Sequence, residues 1–222
     1  MSTHLRSFCA NCVIAGFLLA TSDWLLAASS LQAGVGTPSA DRSEATYRGG
    51  LVTPPLAKPQ FTLTDTSGAP FNFRVGTEGY VTLLFFGYTN CRDECPLHMA
   101  AIATSLQQIP PEVRNQVKVV FVTADPARDT PTVLRAWLNH FDRKFIGLTG
   151  NAATIEAAQR AAQVPVATKT TLANKAYDVG HAAFVLAYTK DNLAHLIYPG
   201  GVTPTDWAHD LPLLVKEEWA RQ

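Results

Sequence analysis

A continuous run of apolar residues near the middle of the chain predicts the strand around which the domain is built. Residues 81–86 read Val-Thr-Leu-Leu-Phe-Phe and end at Gly87. A short run rich in branched and aromatic side chains is typical of a strand buried on both faces. A polar turn with Cys91 and Cys95 follows, and Pro96 after it can open a helix. We therefore expect two thiols at the carboxyl end of a central strand, where open α/β sheets carry their chemistry.

The hydrophobic pattern elsewhere predicts alternating strands and helices. The predicted elements are, in order, a hairpin at 61–73, the buried strand, a helix from Pro96 to about Ile109, a strand at 117–123, a helix from Pro131 to about Phe141, a strand at 145–149, a helix from Asn151 to about Ala162, a hairpin of 182–189 with 193–198, and a helix after Thr203. Pro212 is expected to kink or split that last helix. This order, with thiols at the first βα turn, predicts an α/β fold: a thioredoxin-like three-layer sandwich with an N-terminal β-hairpin and a mixed central sheet.

The amino-terminal part of the chain differs in composition from the rest. Residues 1–33 combine a short basic start with an apolar segment and small residues, which predicts an export signal or a retained membrane anchor. Asp23 counts against a membrane span. Both alternatives place the main domain in the periplasm, free or anchored to the inner membrane. Residues 34–58, rich in Gly, Pro, Ser and Thr, predict a linker or an extended arm, which leaves 59–222 as the domain.

Charge and cysteine content exclude two classes of protein. The formal net charge is +0 and no basic cluster is present, so a nucleic-acid partner is not expected. Four cysteines in 222 residues are too few for a disulfide framework. Cys9 and Cys12 lie in the amino-terminal apolar segment and are interpreted as small apolar residues of it.

The spacing of Cys91 and Cys95 permits two kinds of chemistry. If both residues lie on the first turn of a helix, their side chains share a face at about 5–6 Å between Cβ atoms. They could then bind one metal ion or close into a disulfide. The amino end of the helix and the neighbouring Arg92 should lower the thiol pKa values, which both kinds of chemistry require. Peroxide reduction is a weaker alternative, because the proline, threonine and cysteine pattern of peroxidases is absent from the sequence.

A histidine could supply a third metal ligand. His181 directly precedes the predicted strand at 182–189, where its side chain could reach over the sheet edge. His98 follows Cys95 by three residues and could also approach the site, but it is interpreted as an exposed helix residue. The remaining histidines, His140, His195 and His209, show no pattern that indicates a role. Two thiolates and an imidazole suit Cu(I) and, with an added ligand, Zn(II).

Several stretches together resemble the SCO/SenC family of copper-binding proteins required for cytochrome c oxidase assembly. They are 61–65 with Gly68 and Pro70, 84–89 leading to Cys91 and Cys95, 120–123 followed by 125–131, 140–150, and His181 at the start of its strand. The resemblance covers about Pro59 to Leu214. It implies that Cys91, Cys95 and His181 bind copper, chiefly as Cu(I) and secondarily as Cu(II).

The resemblance also implies a function and partners. A metallochaperone, rather than an enzyme, would deliver copper to the binuclear copper centre of the oxidase. Its partners would be the copper-receiving oxidase subunit, a copper donor and a thiol reductant. The alternative is an extracytoplasmic thiol–disulfide oxidoreductase in which Cys91 and Cys95 form a redox pair that reduces cysteines of a partner protein.

Two positions depart from the family pattern. Arg92 stands where the family usually has proline, and Gly180 stands where it usually has aspartate before the histidine. A carboxylate that would orient the imidazole is thereby lost, and Asp178 is the nearest candidate to replace it. These departures bear on metal affinity more than on fold.

Overall fold

A mixed eight-stranded sheet forms the centre of the computed structural model, which describes residues 47–173, 176–217 and 219. The strands are β1 Gly50–Ala57, β2 Thr62–Asp65, β3 Pro70–Asn72, β4 Val81–Gly87, β5 Val117–Thr123, β6 Ile146–Thr149, β7 Thr168–Thr171, β8 Tyr177–Gly180, β9 Phe184–Tyr188 and β10 Leu193–Pro199. The helices are α1 Phe73–Gly76, α2 Glu94–Gln108, α3 Pro111–Arg114, α4 Pro131–Leu138, α5 Ala152–Ala161 and α6 Pro204–Lys216. β7 and β8 form a separate two-stranded sheet.

Strand β4 lies inside the sheet, as its continuous apolar run predicts. The strand order is β1-β10-β9-β4-β5-β6-β2-β3, and every residue of β4 is buried. β4 pairs in parallel with β5 and antiparallel with β9. β5 and β6 are also parallel, and the flanking pairs are antiparallel. The predicted mixed sheet is confirmed.

Two hydrophobic cores lie on opposite faces of the sheet and define three layers. Successive side chains of a strand point to opposite faces. Leu83 and Phe85 accordingly belong to one core, which α2, α4 and α6 cover, while Leu84 and Phe86 belong to the other, which α1 and α5 cover. This arrangement confirms the predicted three-layer thioredoxin-like architecture.

The first strand lies in the stretch for which the sequence predicts a linker or an extended arm. β1 pairs antiparallel with β10 at the sheet edge, with a shift of register between Leu51 and Leu56. Pro54 and Pro55 interrupt the alternation of the strand, and an edge strand is one of the few places in a sheet that tolerate proline. The buried Asp210 of α6 also accepts hydrogen bonds from the N–H groups of the two residues that precede β1. The folded domain therefore begins before the predicted boundary at residue 59.

Helix boundaries differ from the sequence-based expectation in two places. α2 begins at Glu94, two residues before Pro96, so Cys95 is in its first turn and Cys91 lies outside the helix. α6 continues through Pro212 as one element, so the expected split does not occur. Thr203 and Asp206 form a capping box at the start of α6, which stabilises its first turn.

The described residues contain no helix that is long and apolar enough to cross a membrane. The predicted export signal or anchor at 1–33 lies outside the described residues, as does the part of the predicted linker that precedes residue 47.

A buried lysine, Lys58, follows β1 and lies beside the ring of Tyr188 in β9. The Lys58 side chain is only 1% exposed, and its Nζ donates to Thr77 O and Thr82 Oγ1, each at 3.2 Å. Burial and, to a smaller extent, the positive charge of Arg74 lower the pKa of Lys58 to about 8. The ammonium group is therefore held in the interior by neutral hydrogen-bond acceptors at neutral pH.

We expect Lys58→Met to raise the free energy of unfolding by about 1–3 kcal/mol at pH 7, because it removes a desolvated charge and keeps the apolar stem. Below about pH 8 both the folded and the unfolded chain are protonated at Lys58, so the difference in stability between the variant and the wild type does not change with pH. Between about pH 8 and 10.5 only the unfolded chain keeps the proton. The stability of the wild type then rises with pH, and the gap to the variant narrows.

Urea unfolding of both proteins at pH 7 and pH 10 measures this gap. Lys144→Met, at an exposed lysine, is the control and should change stability little at either pH. If Lys58→Met is less stable than the wild type at pH 7, the two hydrogen bonds of the Lys58 ammonium group stabilise the fold by more than the burial of its charge costs.

Candidate metal centre

The two thiols lie where β4 passes into α2. Cys95 is buried and Cys91 is partly buried, and within the described chain both are free thiols. The Cys95 N–H points at Cys91 Sγ at 3.5 Å, so the first thiol receives a backbone donor at the amino end of the helix. Gly87 leaves room for the second thiol, because a Cβ at this position would lie 2.6 Å from Cys95 Sγ.

His181 completes a compact group with the two thiols. Its Nε2 lies 3.8 Å from Cys91 Sγ and 3.5 Å from Cys95 Sγ. The three potential ligand atoms all lie within 4.8 Å of one another. The rings of Phe85 and Tyr88 pack nearly perpendicular to the imidazole and hold it in place. The structure thus brings together the three residues that the sequence singled out.

The two thiols have opposite electrostatic environments. The hydrogen bond from the Cys95 thiol and the N–H groups of Cys95 and Asp93 lower the pKa of Cys91 to about 4, against the effect of burial. Burial raises the pKa of Cys95, and its hydrogen bond to Cys91 raises it further. At neutral pH the pair is therefore one thiolate and one thiol. Arg92 was expected to lower the thiol pKa values, but it is exposed and the backbone and thiol donors have the main effect.

A backbone carbonyl orients the His181 imidazole. Its Nδ1 donates to Ala182 O at 3.1 Å, which leaves the Nε2 lone pair directed at the thiols. Asp178, the expected replacement for the family aspartate, instead accepts from the Tyr88 hydroxyl at 2.6 Å and from Val179 N at 2.9 Å. Asp178 therefore holds Tyr88 against the imidazole rather than bonding to the imidazole itself.

The loop between β5 and α4 fixes the cysteine turn. Asp129 in this loop is fully buried and accepts hydrogen bonds from Thr89 N at 3.0 Å, Thr89 Oγ1 at 2.6 Å and Thr123 Oγ1 at 2.6 Å. Thr89 lies two residues before Cys91, so the buried carboxylate sets the position of the first thiol.

The same loop also fixes the segment that leads to His181. Asp125 accepts from the Tyr177 hydroxyl at 2.9 Å and pairs with Lys169 Nζ at 3.0 Å and with Arg128. Tyr177 and Lys169 lie on β8 and β7, and β8 ends at the residue before His181. The loop between β5 and α4 therefore positions both parts of the candidate site, the cysteine turn and the segment that leads to His181. The sequence analysis used this loop only as part of a resemblance, because its contacts are not local in sequence.

His98 differs from its interpretation as an exposed helix residue. It is 3% exposed, and its ring packs on Phe85 with centroids 5.0 Å apart. Burial lowers the pKa of His98, which keeps the ring neutral, although a hydrogen bond to the Ala183 backbone acts in the opposite direction. Helix periodicity did not reveal this burial, because His98 packs on Phe85 at the edge of the core beside the candidate site.

The other histidines lie away from the thiols. His140 is exposed and contacts Trp137 O, His195 pairs with Asp191 at 2.7 Å, and His209 pairs with Asp210 at 2.7 Å. None of these three belongs to the group of potential ligands found among the described residues.

An open cleft gives access to the group. A cavity of about 830 Å³ lies between the cysteine turn and the β7–β8 hairpin, with Cys91, Arg92, Arg128 and Asp178 in its walls. A second protein could approach Cys91 through this cleft, whereas Cys95 lies behind it.

Two sulfur atoms and one imidazole nitrogen form a soft donor set with few ligands, which suits Cu(I) and, with one more ligand, Zn(II). The fold and this set define a thioredoxin-like protein with a candidate site for a soft metal ion. Residues 52–216 match the SCO1/SenC family model, and the chain belongs to that family.

Comparisons with individual proteins agree with the family assignment. A copper-binding protein of Stutzerimonas stutzeri is 37% identical over 126 residues, covering 57% of this chain and 61% of that protein. An SCO2-like protein of Rickettsia felis is 42% identical over 96 residues, covering 43% of this chain and 46% of that protein. The chain thus spans about half of the length of these relatives.

Solved structures show the same fold. Bradyrhizobium japonicum ScoI with copper bound is 30% identical and has a TM-score of 0.64, and the match covers 72% of this chain and 99% of that chain. Yeast Sco1 with copper bound has a TM-score of 0.67 at 24% identity, covering 75% of this chain and 92% of that chain.

Proposed function

We propose that this protein binds one copper ion through Cys91, Cys95 and His181 and delivers it to the binuclear copper centre of cytochrome c oxidase. The observation that carries the proposal is the convergence of two sulfur atoms and one nitrogen within 4.8 Å. Membership of the SCO1/SenC family and the copper-bound state of its structural neighbours support copper as the metal.

The protonation states favour uptake of Cu(I). Cys91 supplies a thiolate at neutral pH, and the orientation of His181 leaves its Nε2 lone pair free for a metal. Cys95 must lose its proton when the ion binds, so loading releases a proton to solvent. A site with only three protein ligands leaves the ion open to an incoming thiolate, which allows transfer by ligand exchange through the cleft over Cys91.

The proposed setting is outside the cytoplasm. The export signal or anchor predicted at 1–33 would place the domain in the periplasm or tether it to the inner membrane. Its partners there would be the copper-receiving oxidase subunit, a copper donor and a reductant that keeps the two thiols reduced.

A second candidate function is thiol–disulfide exchange. The asymmetry of the pair supports it, because Cys91 is a partly exposed thiolate and Cys95 is a buried thiol. Cys91 would attack a partner disulfide, and Cys95 would then resolve the mixed disulfide. The chain's two thiols would be oxidised to a disulfide while the partner disulfide is reduced to two thiols.

Titration of the reduced full chain with Cu(I), in competition with a chromogenic chelator, tests the proposal. Cys9→Ser and Cys12→Ser form the background, so that only the folded domain supplies thiols. We expect binding of one equivalent and its loss when Cys91→Ser and Cys95→Ser are added. If one equivalent of Cu(I) still binds when both Cys91 and Cys95 are replaced, the proposal is contradicted. Failure to bind Cu(I), with a mixed disulfide trapped by Cys95→Ser alone, would favour the second candidate.

A further inference from the structure

Two imidazoles pack against Phe85, that of the partly buried His181 and that of the buried His98. His181 Nδ1 donates to the carbonyl of Ala182, and the backbone of the next residue, Ala183, lies close enough to the His98 ring to act on its pKa. Both rings contact Phe85, with centroids 5.7 Å and 5.0 Å away. A ring nitrogen that bonds to a backbone carbonyl is the usual support of a metal-binding histidine, because it directs the other nitrogen at the ion. His98 lies beside the Ala183 backbone in a comparable position but is not one of the three residues described above.

The second ring nitrogen of His98 is buried and unsatisfied. Its Nε2 has no hydrogen-bond partner within the described part of the chain, and the residue is only 3% exposed. An unpaired polar atom at such a position is costly in a folded protein and calls for a ligand or a structural reason.

A carboxylate oxygen of Glu94 lies about as far from His98 Nε2 as two ligands of the same metal ion lie from each other. Its Oε2 lies 3.7 Å from His98 Nε2, which is too long for a hydrogen bond. Two ligands bound at about 2.0–2.2 Å in a tetrahedral site lie about 3.3–3.6 Å apart, so a small shift would place both on one ion. Gly200 leaves room for this carboxylate, because a Cβ there would lie 2.4 Å from Glu94 Oε2.

The pair lies at a cavity that can hold the remaining ligands. This cavity of about 320 Å³ lies between α2 and the start of α6, and both Glu94 and His98 line it. The Glu94 side chain is 37% exposed, so an ion can reach the pair from solvent together with coordinated water.

We propose that His98 and Glu94 form a second metal site, for a divalent transition-metal ion such as Cu(II) or Zn(II). Imidazole nitrogen and carboxylate oxygen are harder donors than the two thiols, so this site selects divalent ions while the Cys-Cys-His group selects Cu(I). The site needs none of the three residues of that group. It is therefore independent of the proposed copper delivery.

The test uses the full chain in which the Cys-Cys-His group has been removed by substitution. Cys9→Ser, Cys12→Ser, Cys91→Ser, Cys95→Ser and His181→Ala form the background, which is titrated calorimetrically with Cu(II) and, separately, with Zn(II). We expect a saturable equivalent that His98→Gln and Glu94→Gln each weaken by at least about ten-fold. His140→Gln, at an exposed histidine, is the matched control and should leave the affinity unchanged. The Cu(II) complex should show one imidazole nitrogen by electron paramagnetic resonance, and His98→Gln should remove it.

Gly200→Ala keeps the test decisive if His98→Gln fails to fold. It changes neither proposed ligand but displaces the Glu94 carboxylate, so it should also weaken Cu(II) binding. Binding that survives Glu94→Gln and Gly200→Ala, or that falls equally with His140→Gln, would overturn the second site. Because the thiols are absent throughout, neither result bears on delivery of Cu(I).

Discussion

His181→Ala is expected to lower the affinity for Cu(I) by about 100-fold or more while leaving the domain folded. Substitutions that only disturb the orientation of a ligand cost about 10–100-fold in metal affinity, so loss of the ligand itself should cost at least the upper part of that range. Two thiolates would remain and would hold Cu(I) more weakly. The imidazole contributes little to the core, because it is only partly buried and meets the rings of Phe85 and Tyr88 in T-shaped contacts.

Chelator competition on the reduced protein measures this loss, and His140→Ala is the matched control because that histidine is exposed in the turn after α4. The same variant separates the two candidate functions. Exchange between Cys91 and a partner disulfide does not require the imidazole as a ligand, so it should persist in His181→Ala. An unchanged Cu(I) affinity would exclude His181 from the site.

Asp129→Ala is expected to destabilise the domain by about 3 kcal/mol and to speed the loss of Cu(I). The substitution leaves one N–H and two hydroxyl groups, those of Thr89 and Thr123, without their acceptor in a buried site. A buried donor left unpaired costs about 1–3 kcal/mol, and the costs of neighbouring groups are not fully additive. The cysteine turn would also lose the contact that positions Thr89, so the first thiol would be held less firmly.

Urea unfolding gives the stability, and the rate of Cu(I) transfer to a chelator gives the effect on the site at a temperature where the variant stays folded. Asp129→Asn keeps the shape and one acceptor oxygen, so it should recover part of both losses. Glu112→Ala, at an exposed carboxylate, controls for removal of a charge. A variant that is destabilised but releases Cu(I) at the wild-type rate would show that Asp129 supports the fold without positioning the thiols.

Local patterns predicted the elements of the fold well wherever burial is uniform along a segment. The central strand is an unbroken apolar run because both faces of β4 are covered. The caps Thr130, Asn151 and Thr203 mark helix starts because each side chain accepts a hydrogen bond from the backbone N–H three residues further on. The edge strand β1 was not predicted, because its hydrogen bonds go to a strand about 140 residues later and its prolines hide the alternation.

The site itself depended on contacts between distant parts of the chain. Spacing alone suggested that Cys91 and Cys95 share a helix face, but the structure places Cys91 before the helix, where its sulfur accepts the Cys95 N–H. The burial of His98 and the double role of the 125–129 loop come from packing between α2, β4 and the β7–β8 hairpin. Such packing leaves no regular period in the sequence.

The sequence by itself determined the α/β class, the central strand, the two thiols at its carboxyl end and, through family resemblance, the third residue of the group. These features follow from short-range chemistry: the period of burial, the geometry of caps, and thiols placed at a helix start. Only the tertiary structure decided which thiol is the thiolate, what orients His181, and that Asp125 and Asp129 hold both halves of the site. Those properties depend on burial and on donors from residues far away in the chain, because desolvation and hydrogen bonding are set by whatever surrounds a group in space.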